Sequence, residues 1–160
     1  MSLAPSIDTF LATIEAAAPI AALRDSWIAY PLVNAAHIVG IALLFGAIVP
    51  LDLRLIGWRR ETETVDRLSR MLLPVAIGGL LIAIPAGLLL FATDARAYAA
   101  APLFQAKMAL IALAVGNALA LRRIDWRTTP ARGRTAFAGM ASMCLWLSVI
   151  VCGRLLGYIE

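Results

Sequence analysis

Three ionisable side chains lie within long apolar stretches of this 160-residue sequence: His37, Lys107 and Arg154. Such residues are costly in a membrane and mark candidate functional positions. His37 is the only histidine in the chain. It could ligate haem iron, relay protons or simply hydrogen-bond to a neighbouring helix, and its residue type leaves these alternatives open. Gly40 follows on roughly the same helical face, where it would let a flat ligand or another helix approach the backbone.

The two cations also have simple structural interpretations. Lys107 lies in the sequence Phe104-Gln105-Ala106-Lys107 and could extend its ammonium group to the lipid headgroups. Arg154 lies near the end of the last apolar stretch, where it could anchor the helix at the interface or neutralise its negative C-terminal end. What these residues do therefore depends on the elements that position them.

Composition places the chain in a membrane. Its residues are 62% apolar and 15% charged, with a mean hydropathy of +0.86, whereas soluble domains are about 45–50% apolar and about 25% charged. The net charge of +4 comes from basic clusters between apolar runs, a membrane pattern, and we expect no nucleic-acid partner. The sequence also lacks a nucleophile–base pair, a phosphate-binding loop and a zinc motif of known spacing, so it does not support a hydrolase or a nucleotide-dependent enzyme.

Four runs are long enough to span a bilayer, at about residues 27–51, 71–92, 102–121 and 135–154. Each is predicted to be helical because lipid cannot satisfy exposed backbone groups. Residues of about 5–22, with Ile7, Phe10, Leu11 and Ile14 on one face, predict a retained amphipathic helix in the interface. The fold class is therefore all-α: one domain, residues 1–160, forming an up-down bundle of four transmembrane helices.

Basic residues predict the orientation. Ten of the 14 lysines and arginines follow the first or the third span. They are Arg54, Arg59, Arg60, Arg67 and Arg70 in one connection and Arg122, Arg123, Arg127, Arg132 and Arg134 in the other. The positive-inside rule places both connections in the cytoplasm and both termini outside, in the periplasm if the host has a Gram-negative inner membrane.

This topology brings His37, Lys107 and Arg154 into the outer half of the bundle, with Tyr30 and Tyr158 in an aromatic rim. A histidine and two cations without a carboxylate between them favour an anionic ligand. Haem b offers iron to His37 and propionates to Lys107 and Arg154. A quinone or a lipid phosphate would also suit the cations but would use the histidine less specifically.

A resemblance supports part of this interpretation. The stretches His37-Ile38-Val39-Gly40, Asp52-Leu53-Arg54-Leu55-Ile56-Gly57 and Gly153-Arg154-Leu155-Leu156-Gly157-Tyr158, together with the Phe104 to Lys107 motif, resemble an uncharacterised bacterial family of four-helix membrane proteins. More distantly, the layout is similar to HemJ-type protoporphyrinogen oxidases and CopD-like copper-resistance proteins. That similarity implies that His37 is a haem ligand and Lys107 a second site residue. HemJ-type proteins have further histidines. Since His37 is the only histidine in this sequence, one chain cannot supply two histidine ligands. The scattered residues Met71, Met108, Met140 and Met143 form no copper motif.

We therefore expect a haem-binding protein of the bacterial inner membrane, with a role in electron transfer or haem-linked oxidation, and a quinone or another redox partner. The iron ligand opposite His37 would be absent, a methionine, or His37 of a second protomer in a homodimer. The alternative is a small carrier or channel, or an oligomeric scaffold, that uses His37 and Lys107 for protons or anions without haem.

Overall fold

The computed structural model describes residues 5–58, 65–123 and 132–159. Within these ranges the protein is helical and has no strand, which confirms the all-α prediction. The helices are α1 (Pro5–Glu15), α2 (Ala18–Asp25), α3 (Ala29–Ile56), α4 (Val65–Thr93), α5 (Ala95–Ala100), α6 (Pro102–Arg122) and α7 (Arg132–Ile159). Arg59, Arg60 and Arg127, which contributed to the predicted orientation, lie outside the described residues.

Four of these helices, α3, α4, α6 and α7, are long and apolar enough to cross a membrane. They coincide with the four predicted spans, and the chain is a multi-pass membrane protein. Large apolar side chains on their outer surfaces are highly exposed, for example Leu81 at 68% and Leu113 at 61%. That exposure is expected where lipid is the solvent. The helices α3, α4 and α7 extend several residues beyond the predicted apolar runs.

The N-terminal segment differs from the single amphipathic helix that was predicted. It forms two short helices, α1 and α2, at an angle of 65°. The bend follows Glu15: Ala17 is extended, and Pro19 lies in the first turn of α2, where its missing N–H costs nothing. Leu11 faces the bundle, whereas Phe10 on the predicted apolar face is 64% exposed.

The spanning helices pack in the order α4, α3, α7, α6. Among the described residues the backbones of α3 and α4, of α3 and α7, and of α7 and α6 lie close together, whereas those of α4 and α6 do not. The bundle thus consists of two antiparallel hairpins, α3–α4 and α6–α7, joined along α3 and α7. We call the end at which α3 and α6 begin and α4 and α7 end the upper end, and the opposite one the lower end.

One buried cluster fills the middle of the bundle and includes residues of all four spans. Its members are Leu44, Ala47, Ala76, Ala114 and Trp146. Trp146 is 6% exposed and is by far the largest of them. Ala76 of α4 and Ala114 of α6 are small, and the indole of Trp146 occupies the space between these two helices, whose backbones are far apart.

Small residues bring the helices of the bundle together at two places. A Cβ atom on Gly40 would lie 2.6 Å from the backbone nitrogen of Ala83, so α3 and α4 are in backbone contact there. Towards the lower end, a Cβ atom on Gly139 of α7 would lie 2.9 Å from the carbonyl oxygen of Asp52. The carboxyl group of Asp52 is buried beside this contact, and its Oδ2 has no hydrogen-bond partner among the described residues. The joint between the two hairpins is therefore tight in the lower half.

Candidate functional site

A cavity of about 540 Å³ lies in the upper half of the bundle, between the two hairpins. This volume is within the range of about 300–1,000 Å³ that is usual for small-molecule sites. Residues of α3, α4, α5, α6 and α7 form its wall, among them Tyr30, His37, Phe91, Tyr98, Lys107, Trp146 and Arg154. The wall is mostly apolar, and its polar groups are few.

His37 lies on the α3–α4 side of the cavity, with its ring packed against Gly87 of α4. A Cβ atom on Gly87 would lie 2.8 Å from Cε1 of the imidazole, so only glycine leaves room for the ring. Nδ1 of His37 is 2.8 Å from the carbonyl oxygen of Ala83. Since a carbonyl can only accept, Nδ1 carries the proton and donates it.

This hydrogen bond determines what His37 can offer to a ligand. With the proton on Nδ1, Nε2 of the neutral ring has a free lone pair. Among the described residues Nε2 has no hydrogen-bond partner, and the protein does not fully enclose it. Histidines that bind metals commonly donate their other ring N–H to a carbonyl or carboxylate in this way. His37 is thus held as an electron-pair donor at the cavity wall.

Lys107 lies on the other side of the cavity, where α6 meets α7. A Cβ atom on Gly153 would lie 3.4 Å from Nζ of Lys107, so the ammonium group rests against a flat part of α7. Both Lys107 and His37 are part of the cavity wall. The two residues that were predicted to act together therefore line one cavity from opposite hairpins.

Arg154 also lines the cavity, close to its upper end. Its Nη2 donates a hydrogen bond of 2.9 Å to the hydroxyl of Tyr158, and its guanidinium lies 4.7 Å from the centroid of that ring. At a rise of ~1.5 Å per residue, Arg154 and Lys107 lie about 8 Å from the upper ends of their helices, and His37 about 12 Å. Counted along its own helix, each cation is thus nearer to the upper helix end than the imidazole is.

The remaining predicted site residues have different positions. Tyr30 lines the cavity at its upper end. Tyr158 is 70% exposed and contacts Arg154 rather than the cavity. Gly40 lies outside the cavity wall, because its close neighbour is α4 rather than a ligand. Of the two interpretations of Gly40, the structure shows the approach of another helix.

An aromatic cluster that the sequence did not reveal lines the upper part of the cavity. Phe91 of α4 stacks on Phe104 of α6 with ring centroids 5.2 Å apart, and Tyr98 of α5 lies 6.4 Å and 5.8 Å from them, respectively. This cluster bridges the two spans that do not otherwise touch. The helix α5, which holds Tyr98, is too short and too alanine-rich to be recognised from periodicity.

An ion pair between a buried carboxylate and a half-exposed guanidinium positions α5. The carboxylate of Glu15 in α1 accepts hydrogen bonds from the backbone N–H of Arg96, at 2.7 Å, and from its Nε, at 3.0 Å. Burial disfavours the charged form of Glu15, but the bonds from Arg96 outweigh this effect and lower the pKa of the carboxyl group. The first turn of α5 gains a carboxylate partner, as helix N-termini favour. The N-terminal helices are thereby connected to the roof of the cavity.

The donor atoms around the cavity suit a cofactor that needs a single protein ligand. Within the described residues, no three histidine, cysteine, aspartate or glutamate side chains come together to hold a metal ion. A haem needs less, because its porphyrin supplies four of the iron ligands and the protein can supply one histidine. The cavity is mostly apolar, and its wall has one available imidazole nitrogen and two cations. These are the components that such a group requires.

The chain matches no protein-family model, no curated protein and no solved structure. The function must therefore be argued from the chain's own residues.

Proposed function

We propose that the protein is a b-type haem protein of the bacterial inner membrane, with His37 as the iron ligand. The observation that carries this proposal is the hydrogen bond from Nδ1 of His37 to Ala83, which leaves Nε2 as a lone-pair donor at the cavity wall. A neutral imidazole in this tautomer cannot donate a hydrogen bond through Nε2 to an anion or a quinone carbonyl. It is suited to bind a metal centre.

The two cations would orient the haem. Lys107 and Arg154 lie closer to the upper end than His37 does, so the propionates would point towards that end. Charge-assisted hydrogen bonds to carboxylates are among the stronger polar contacts in proteins. The cluster of Phe91, Tyr98 and Phe104 would limit the access of water to the buried part of the ring system.

The bound haem would supply one-electron chemistry, and the protein would set its position and its surroundings. An apolar wall with two nearby positive charges favours the more electron-rich state of a redox centre. The role that we propose is electron transfer or haem-linked oxidation in the upper half of the bundle. A quinone or another redox protein would be the partner.

The proposed orientation follows from the arginines. The lower ends of the four spanning helices, together with the connections that follow α3 and α6 in the sequence, hold ten of the 14 lysines and arginines. By the positive-inside rule the lower end faces the cytoplasm, and both termini and the upper half of the bundle, which contains the cavity, lie towards the periplasm. The distant similarity to HemJ-type proteins, which rests on His37 and Lys107, agrees with a haem site at this depth.

A spectrum of the purified protein tests the proposal. Wild type from haem-replete cells should show a Soret band and a pyridine haemochrome of b type. The variant His37→Ala should lose the band or shift it, whereas Asn34→Ala, a change on the same wall of the cavity, should retain it. A colourless wild type that stays colourless after haem addition would refute the proposal.

The alternative is a small carrier or channel without haem, or a scaffold. The position of His37 and Lys107 on the wall of one cavity favours proton or anion handling within this alternative. A pH-dependent flux into liposomes by haem-free protein, abolished by His37→Ala, would support a carrier or channel. For a scaffold, His37→Ala should reduce stability and change nothing else.

A further inference from the structure

Asp52 is a buried carboxylic acid that the proposed haem site does not use. It lies in α3 one turn before the lower end of that helix, at a depth of ~6 Å for a rise of ~1.5 Å per residue. The residue is only 3% exposed, and it does not contribute to the wall of the cavity in the upper half. An ionisable side chain within an apolar span is costly, so its presence calls for a function.

The surroundings of this carboxyl group offer little to a negative charge. Its Oδ2 is enclosed by protein and has no hydrogen-bond partner among the described residues. A carboxylate only accepts hydrogen bonds, and burying it is costly unless donors or a cation surround it. A neutral carboxylic acid loses much less when one of its oxygens lacks a partner. The partial negative charge at the C-terminal end of α3 also opposes a carboxylate at this position.

The charged side chains at this end of α3, α4 and α7 do not provide a buried counter-charge. In the described part of these helices they are Arg54, Asp66, Arg67, Arg70 and Arg134. None of the five is buried, and Asp66 and Arg70 pair with each other at the surface. Enclosure of Asp52 therefore favours its protonated, neutral form.

A hydroxyl group belongs to the same joint between the hairpins. Ser142 of α7 is 4% exposed and is, with Asp52, one of the two buried polar residues that BUR-type enclosure leaves in the lower half of the described structure. It lies one turn from Gly139 on the same face of α7, and Gly139 is in contact with the backbone of Asp52. A serine hydroxyl can donate to a carboxylate or accept from a carboxylic acid. The joint is thus compatible with both protonation states but stabilises only the neutral one by enclosure.

We propose that Asp52 is a reversible proton-binding site at the lower end of the bundle. The carboxyl group holds a proton while α3 and α7 are packed together, and it exchanges this proton with water at the nearby surface. The step transfers one proton between a carboxyl oxygen and water, and no other bond changes. With the orientation proposed above, the proton comes from the cytoplasm. The inference uses no group of the cavity and does not depend on haem.

Infrared spectroscopy of the detergent-purified protein tests the proposal. At about pH 6 exposed aspartates are ionised, but wild type should show the carbonyl stretching band of a protonated carboxylic acid. This band should shift in heavy water and disappear reversibly as the pH is raised. Asp52→Asn should lack the band, whereas Asp66→Asn, which removes an ion-paired carboxylate at the same end, should retain it. Isotope-labelled aspartate in wild type should shift the band, an assignment that does not require the Asp52→Asn variant to fold.

Thermal stability supplies a second measurement. Asparagine has about the size of the neutral acid and cannot ionise, so wild type should lose stability relative to Asp52→Asn as the pH rises. A difference in melting temperature that did not change with pH would contradict the proposal.

Two infrared results would also overturn it. The absence of the band from wild type at about pH 6 would mean that Asp52 is ionised in the fold. A band that persisted into the alkaline range, or did not respond to heavy water, would mean that the proton is fixed rather than exchangeable. Neither result bears on the Soret band, so this inference and the haem proposal can fail separately.

Discussion

Replacing Gly87 by alanine would test whether α4 positions the imidazole of His37. The added methyl group would lie 2.8 Å from Cε1 and 3.2 Å from Nδ1, whereas apolar contacts are most favourable at about 3.5–4.0 Å. The ring would have to move by several tenths of an ångström, and the 2.8 Å bond from Nδ1 to Ala83 would be lost or weakened.

The magnitude follows from three contributions. A typical intramolecular hydrogen bond contributes about 0.5–1.5 kcal/mol net to stability, and overpacking costs roughly 1–3 kcal/mol. The better helix propensity of alanine returns up to about 1 kcal/mol. We expect Gly87→Ala to lower the free energy of unfolding by about 1–3 kcal/mol. Under the proposed function it should also reduce or shift the Soret band, because His37, the proposed iron ligand, is displaced.

A matched control lies in the same helix. A Cβ atom on Gly78 would have no neighbour within 4 Å, so Gly78→Ala changes helix propensity alone. Its stability should equal or slightly exceed that of wild type, and its Soret spectrum should be unchanged. Thermal unfolding of the two variants in one detergent, followed by helical circular dichroism and by Soret absorbance, measures both effects. If Gly87→Ala behaved like Gly78→Ala in both measurements, the reasoning about His37 would be refuted.

Three further predictions concern the rest of the bundle. The pKa of Glu15 is lowered from 4.5 in the fold, so its pairing with Arg96 stabilises the protein above this value and is lost as pH falls through the lower folded pKa. Glu15→Gln should thus lower the melting temperature at neutral pH, and the difference from wild type should shrink as the pH is lowered through the acidic range; a difference that did not change with pH would contradict this. Gly40→Ala should cost about 1–3 kcal/mol in chemical denaturation because it separates α3 from α4, while Gly46→Ala, with open space around it, should cost little. Asp25→Cys, in a variant in which Cys144 and Cys152 are replaced by serine, should react with a membrane-impermeant thiol reagent in intact spheroplasts. Labelling only after lysis would reverse the proposed orientation.

Hydropathy was enough to predict the four spans, because length and apolar composition are properties of each segment by itself. The depths of His37 and Lys107 followed from the alternation of the spans, and the structure places both at one cavity. Gly87 could not be recognised as their partner. It is one of several glycines in α4, and its role depends on how α4 is rotated against α3, which no local pattern specifies.

Gly40 is a second residue whose neighbour could not be predicted from local sequence pattern. Its spacing from His37 correctly indicated a shared face, since both residues meet Ala83 of α4. What the spacing could not tell is whether that face is turned towards a ligand or a helix. The structure makes Gly40 a positioning residue: by letting α4 approach, it brings the carbonyl of Ala83 within reach of Nδ1.

The location of the cavity follows from where the small residues are. Gly40 closes the contact between α3 and α4, and Gly139 closes the one between α3 and α7 in the lower half. No comparable contact joins α4 to α6, and there the protein places Trp146 at mid-bundle and aromatic rings at the upper end. Space therefore remains between these two layers, bounded by one rigid wall that fixes an imidazole and another that carries two cations. Changes near Gly139 should thus alter stability without altering the position of His37, because the lower joint supports the cavity but does not form its wall.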